Sequence, residues 1–177
     1  MQFPTSNLRH PTSAGFTLLE LLLYVGISSI ILLSISVFLF SLIESRTKNQ
    51  VIAEVEQQGA QVMQTIEQTA RNAEAINSPT IGANASTLSL DVVTGGYDPT
   101  VFDLSSGVIR ITEGAGSAVS LTNSRVTATS LTFYNLSRTS TPGIIRVQFT
   151  LTHINLEGRN EYTYSKTFVG SAALRQP

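Results

Sequence analysis

The chain contains no cysteine among its 177 residues, and only two histidines, His10 and His153. Without cysteine no disulfide can stabilise the fold, and the composition carries no mark of an oxidising compartment. Two histidines without a thiol also give no spacing typical of a metal site. A catalytic site with a nucleophile activated by histidine is not indicated, because His10 lies in a polar N-terminal stretch and His153 in a predicted strand. We therefore expect no enzyme activity, no metal site and no cofactor.

Charged residues are scarce as well. They form 13% of the chain, whereas about 25% is usual in soluble domains. In residues 78–177 seven basic side chains stand against six acidic ones, and both kinds are spread along the sequence. This balance lacks the clustered positive charge with which proteins attract nucleic acids. No nucleic-acid partner is therefore expected.

What the chain has is one long apolar run. The 28 residues from Phe16 to Ile43 contain a single charged side chain, Glu20. About 20 mostly apolar residues suffice to cross the hydrocarbon core of a bilayer, so residues 16–43 are predicted to form a transmembrane helix. A carboxylate inside such a helix costs roughly 2.5–3.5 kcal/mol at the bilayer centre and less near an end. The position of Glu20 therefore calls for a functional explanation.

The stretch before this run, residues 1–15, is polar and contains two prolines and one fixed charge, Arg9. It cannot supply the apolar core of a general secretory signal, and no small-x-small cleavage site follows Ile43. Any cut must therefore come before the apolar run. Arg9 places the N-terminus in the cytoplasm by the positive-inside rule. From the apolar run alone, an uncleaved single-pass anchor is the commoner alternative.

The boundary between the two stretches reads Gly15-Phe16-Thr-Leu-Leu-Glu20. This sequence resembles the processing signal of type IV pilins and type II secretion pseudopilins. In that family a prepilin peptidase cuts after the glycine, the new N-terminal phenylalanine is N-methylated, and the fifth mature residue is glutamate. The resemblance implies a leader peptide at residues 1–15, cleavage between Gly15 and Phe16, methylation of Phe16, and a role for Glu20 in assembly and filament register.

After Ile43 the pattern becomes amphipathic. Apolar and small residues recur at helical spacing on one side, which we call the helix seam: Val55, Gly59, Val62, Ile66, Ala70 and Ala73. Glutamines and glutamates occupy the other side, so residues 44–77 are predicted to continue the helix as far as Asn77, where Ser78-Pro79 ends it. The small seam residues are unsuited to a coiled coil and favour a helix laid closely on a sheet.

From residue 80 onward the apolar residues alternate with polar ones, as in β-strands. The predicted strands fall within 87–92, 101–104, 108–112, 125–136, 144–154 and 162–168, and Ser105-Ser106-Gly107 is typical of a hairpin turn. The last three strands are predicted to form an antiparallel meander whose apolar face meets the amphipathic half of the helix.

These patterns predict an α+β fold, with one long N-terminal helix packed by its second half on a C-terminal antiparallel β-sheet. The predicted divisions are a leader at 1–15, a transmembrane helix at 16–43, an amphipathic continuation at 44–77 and a β-sheet head at 78–177. This layout is similar to that of pilin-like proteins. Within the family, the segments 97–102 and 104–110 resemble the minor J-type or W-type subunits.

The resemblance implies a structural subunit, a minor pilin or pseudopilin, that is assembled into or initiates a filament. A pilus, a secretion pseudopilus and a DNA-uptake filament all fit. The implied partners are prepilin peptidase, other pilin or pseudopilin subunits, an inner-membrane assembly platform and the lipid bilayer. The implied location is the inner membrane, crossed once, with the head extracytoplasmic. The alternative is a single-pass membrane-anchored binding module with a β-rich extracytoplasmic head.

Overall fold

The computed structural model describes residues 15–175, which contain one long helix followed by β-strands. Helix α1 spans Leu18–Arg71. The chain separates into two units, Met1–Ile43 and Glu44–Pro177, and α1 contributes residues to both. The fold class is α+β, as predicted. Residues 1–14 of the predicted leader, Arg9 among them, lie outside the described residues.

In the first unit, α1 is apolar on all sides. Three of its serines are satisfied within the helix, since the hydroxyls of Ser29, Ser34 and Ser36 donate hydrogen bonds to carbonyls four residues earlier, at 2.7–2.9 Å. Among the described residues α1 is the one helix long and apolar enough to cross a membrane, and none of its most apolar stretch is buried within the protein.

In the second unit, the described residues 44–175 contain nine strands in two antiparallel sheets. The first sheet has the order β1-β3-β4-β5-β6 and the second the order β2-β7-β8-β9. The strands are β1 (Ala73–Ser78), β2 (Asn84–Ala85), β3 (Leu88–Val92), β4 (Thr100–Ser105), β5 (Val108–Glu113), β6 (Val119–Ser120), β7 (Val126–Asn135), β8 (Ile144–His153) and β9 (Ser165–Ala173). A short 3-10 helix, Asn160–Tyr162, precedes β9. The prediction of one sheet is therefore wrong, because alternation identifies strands but not their distant pairing partners.

Most local predictions within the sheets are confirmed, but the last strand spans Ser165–Ala173 and not residues 162–168. Strands β7, β8 and β9 form the antiparallel meander, in register at Phe133 with Val147 and at Phe149 with Phe168. The turn between β4 and β5 has positive φ angles at Ser106 (52°) and Gly107 (78°), as a two-residue hairpin of the mirror-image type requires.

The predicted continuation of the helix to Asn77 is wrong. Helix α1 ends at Arg71, and residues 73–78 form β1, which pairs with β3. A short segment such as Ala73–Ser78 fits either period, and periodicity alone cannot decide between helix and strand. Here the backbone hydrogen bonds to β3 make this segment a strand. The boundary of the amphipathic segment moves accordingly from residue 77 to residue 71.

The core of the second unit lies between α1 and both sheets. Fully buried side chains come from the helix, from β3 to β5 and from the meander: Val55, Val62, Ile66, Ala70, Leu88, Leu90, Phe102, Ile109, Phe133, Phe149 and Leu151. The helix therefore supplies one complete wall of this core, and its loss would expose apolar surface on both sheets.

Candidate functional site

The first group of predicted site residues lies where α1 begins. Thr17 precedes the first helical residue, and its Oγ1 accepts the backbone N–H of Glu20 at 3.3 Å. Thr17 thus caps a backbone donor that the first helical turn leaves unsatisfied. Glu20 lies in that first turn, where a negative charge is favourable beside the positive end of the helix dipole. Local chemistry alone therefore favours a helix start at this point.

The Glu20 carboxylate is held by a residue that the sequence patterns did not single out. The Tyr24 hydroxyl donates a hydrogen bond to Glu20 Oε1 at 3.2 Å, one helical turn further along. The Phe16 ring meets the Tyr24 ring edge-on, with 6.1 Å between centroids. The signal in the sequence was the four-residue spacing of Glu20 and Tyr24, which places both on one face of a helix.

This arrangement leaves the carboxylate able to bind a further partner. A carboxylate offers about four acceptor positions, of which the Tyr24 hydroxyl occupies one. Its neighbours along the helix are apolar, since Leu19, Leu21 and Leu23 are exposed leucines. In a membrane such a group is costly unless it is hydrogen-bonded or paired with a positive charge. The site is therefore suited to receive an amine.

Gly15 lies just before this site and is not required by packing. A Cβ added there would meet no atom within 4 Å among the described residues. Its backbone, like that of Phe16, is not helical. Neither steric crowding nor a helical conformation therefore explains why this position holds glycine.

The second group of predicted site residues, the helix seam, belongs to the second unit. Val55, Gly59, Val62, Ile66 and Ala70 are buried on α1. Ala73 is also buried, but it lies in β1 and not on the helix. This corrects its predicted place at the end of the helix.

At Gly59 the helix approaches β9 closely. The Phe168 ring occupies the space that a Cβ on Gly59 would need. Phe168 in turn stacks on Phe149, with ring centroids 5.2 Å apart. Farther along, a Cβ on Gly170 of β9 would meet Met63 of α1. Gly59 of α1 thus makes room for Phe168 of β9, and Gly170 of β9 makes room for Met63 of α1.

An ion pair on the surface adds to this contact between α1 and β9. Lys166 Nζ donates a hydrogen bond to Glu56 Oε1 at 2.7 Å, and the Tyr164 hydroxyl donates to the same oxygen at 3.4 Å. The hydrogen bond from Lys166 holds the pKa of the Glu56 carboxyl below its ordinary value. Because these side chains are well exposed, the pair contributes little to the stability of the fold.

His153 packs at the junction of three elements. Its ring stacks on Tyr162, with centroids 6.0 Å apart, and its Nε2 lies 3.9 Å from Glu54 Oε2. Arg125 also approaches this carboxylate, at 3.5 Å. Within residues 15–175 no three histidine or acidic side chains gather as a metal site would need. The His153 side chain is 10% exposed, and its buried Nδ1 has no hydrogen-bond partner within the described residues.

Comparison with known proteins gives no match to a protein family, a curated protein or a solved structure. Function therefore has to be inferred from two features of the chain itself. One is the Gly15–Glu20 sequence with its geometry, and the other is the apolar part of α1 that follows it.

Proposed function

We propose that this protein is a type IV pilin-like subunit, a minor pilin or pseudopilin. A prepilin peptidase processes it, and it is assembled into, or initiates, a pilus or a secretion pseudopilus. The observation that carries the proposal is the position of Gly15-Phe16 and Glu20 at the start of an apolar helix long enough to cross a bilayer.

The backbone around the proposed cleavage site supports this function. Proteases act on chain that can be extended, and exposed terminal segments are their usual targets. The Gly15–Phe16 bond lies before the first helical residue, Leu18, in a non-helical segment. A Cβ at position 15 would meet no neighbouring atom, so packing does not require glycine there. Recognition by a peptidase would explain the glycine.

Cleavage would change the electrostatics of the helix start. It creates a positive amine on Phe16, beside the positive end of the helix dipole, which is unfavourable without a nearby anion. Glu20 supplies the anion. The carboxylate pairs either with the amine of its own chain, four residues away, or with the amine of a neighbouring subunit. In the second case the pair sets the axial register between subunits, because an unpaired ion in apolar surroundings is penalised.

The proposed function also implies a membrane location and a set of protein partners. The subunit crosses the inner membrane once, with its N-terminus in the cytoplasm and the Glu44–Pro177 unit outside, before it enters the filament. Its partners are the peptidase, other pilin or pseudopilin subunits and the inner-membrane assembly platform. A minor subunit of the J or W type fits the pattern of segments 97–102 and 104–110 best.

Processing predicts a defined mature mass. Protein extracted from membranes of cells with an active prepilin peptidase should begin at Phe16 and carry one added methyl group. Intact-mass spectrometry measures both changes at once. The matched control is the same protein from cells without the peptidase, which should retain residues 1–15 and no methyl group.

The same mass measurement distinguishes a pilin-like subunit from the alternative, a membrane-anchored binding module. A membrane-anchored binding module needs no cut at Gly15. A full-length mass in cells with an active peptidase would therefore contradict the pilin-like function and support an uncleaved anchor.

A further inference from the structure

The loop between β8 and β9 lies beside the part of α1 that follows the apolar run. Glu44, Ser45 and Lys48 line one wall of a cleft of about 540 Å³, and residues 158–161 line the other. Residues 44–48 come directly after Ile43, so the helical rise of 1.5 Å per residue keeps them within about 8 Å of the end of the run. The loop is therefore attached close to the point where the apolar segment ends.

Internal hydrogen bonds give this loop a defined conformation. The Asn155 side chain joins its two ends, since Nδ2 donates to the Arg159 carbonyl at 2.8 Å and to Thr163 Oγ1 at 3.0 Å. Its Oδ1 accepts the Arg159 N–H at 3.1 Å. Arg159 also pairs with Glu161 and lies over the Tyr162 ring, 5.6 Å from its centroid. A loop bound in this way keeps its tip in a fixed place.

The tip carries Leu156, whose exposure stands out. It is 94% exposed, more than any other large apolar side chain in residues 15–175, and the next is Leu19 in the apolar run at 80%. A single exposed leucine is ordinary on a protein surface. An ordered loop that holds a leucine out into solvent next to the end of an apolar segment is a more specific arrangement.

We propose that the loop between β8 and β9 docks on the lipid bilayer, with Leu156 inserted at the boundary between headgroups and acyl chains. The partner is the phospholipid surface of the membrane that residues 16–43 cross. The proposal rests on membrane anchoring from the proposed function but does not depend on cleavage or on filament assembly.

The charges around the loop indicate whether docking depends on anionic lipid headgroups. Three basic side chains lie in residues 44–48 and 155–161, and three acidic ones balance them: Arg46, Lys48 and Arg159 against Glu44, Glu157 and Glu161. With no net charge, attraction to anionic lipid is weak. Insertion of the leucine side chain is then the driving contribution, as for other apolar groups at membrane interfaces. Docking is therefore expected to be insensitive to salt.

The absence of tryptophan from the chain allows a direct test. Leu156→Trp, in the full-length protein reconstituted into phosphatidylcholine vesicles, places one indole at the loop tip. Because Leu156 is exposed, this substitution leaves the core unchanged. We expect its fluorescence to lose most of its intensity when brominated phosphatidylcholine replaces the ordinary lipid. The loss should be the same at low and high salt.

Two reference variants calibrate the measurement. Phe38→Trp lies within the apolar run and should be quenched if that run spans the bilayer. Val93→Trp replaces another exposed apolar residue, but Val93 shares a cleft with Thr69 and Asn72 at the far end of α1. That is about 35–40 Å along the helix from Glu44. Val93→Trp should remain unquenched.

Each outcome decides one question. Quenching of Leu156→Trp but not of Val93→Trp supports docking of the loop. If Phe38→Trp is quenched and Leu156→Trp is not, docking is overturned while membrane anchoring stands. Equal quenching of Leu156→Trp and Val93→Trp also overturns it, because the contact would then not belong to the loop. If Phe38→Trp itself is unquenched, membrane anchoring fails, and both the proposed function and the docking fail with it.

Discussion

Ile66→Ala is expected to lower the free energy of unfolding of the Glu44–Pro177 unit by about 2–5 kcal/mol, the range measured when buried isoleucine or leucine is truncated to alanine. Ile66 is completely buried in the core between α1 and the two sheets. The substitution removes apolar contacts and leaves a cavity that the sheets can fill only in part. Small domains are stable by about 5–15 kcal/mol, so the loss is a large share of the total.

Gln64→Ala is the matched control, because Gln64 lies two residues earlier on the same helix and is exposed. It should leave the stability unchanged within about 0.5 kcal/mol. Urea unfolding of the full chain in detergent, followed by tyrosine fluorescence, reports on this unit, since only Tyr24 of the five tyrosines lies in the first unit. Equal unfolding midpoints for the two variants would show that the seam does not hold the helix to the sheets.

Glu20→Ala is expected to abolish entry of the subunit into filaments while membrane insertion and cleavage continue. Removal of the carboxylate makes the helix start more apolar, which favours insertion. The amine that the proposed cleavage creates would then have no anion in apolar surroundings, and the proposed contact that sets register between subunits would be lost. The measurement is the amount of the variant in purified filaments, or co-purified with its partner subunits, relative to its amount in the membrane.

Tyr24→Phe separates two roles of the same site. It keeps the ring beside Phe16 and removes the hydroxyl that donates to Glu20 Oε1. If the carboxylate acts on a neighbouring subunit, Tyr24→Phe should still enter filaments, because the anion remains. A Glu20→Ala subunit that enters filaments at the wild-type level would show that Glu20 only stabilises the start of its own helix.

Sequence reasoning works best here where structure depends on near neighbours. The spacing of Val55, Val62 and Ile66 identifies a buried helix face, because a helix brings residues three and four apart onto one side. The Ser106-Gly107 turn is predicted for a similar reason, since glycine adopts positive φ without steric cost. Likewise Gly15, Phe16 and Glu20 are recognised from a short contiguous pattern, although their roles stay predictions.

The misses share a physical cause. Ala73 and the residues after it adopt a strand because β3, more than ten residues away, pairs with them. The division into two sheets likewise depends on contacts such as that of Asn84 with Tyr134. Tyr24 was missed because its four-residue spacing from Glu20 places both on one helix face but does not by itself indicate a hydrogen bond between them. The pairing of strands that are distant in the chain is the feature that a single sequence predicts least well.

The contact between α1 and β9 also fixes an order of events during synthesis. A ribosome makes the seam before β9, yet Phe168 covers Gly59, and Ala172 and Leu174 complete the core. The Arg175 N–H bonds to the Arg71 carbonyl, where the helix ends. A nascent chain therefore exposes an unfinished apolar helix face until residues 165–174 have emerged. Residues 165–174, which are made after the rest of this core, are therefore the part that closes the fold.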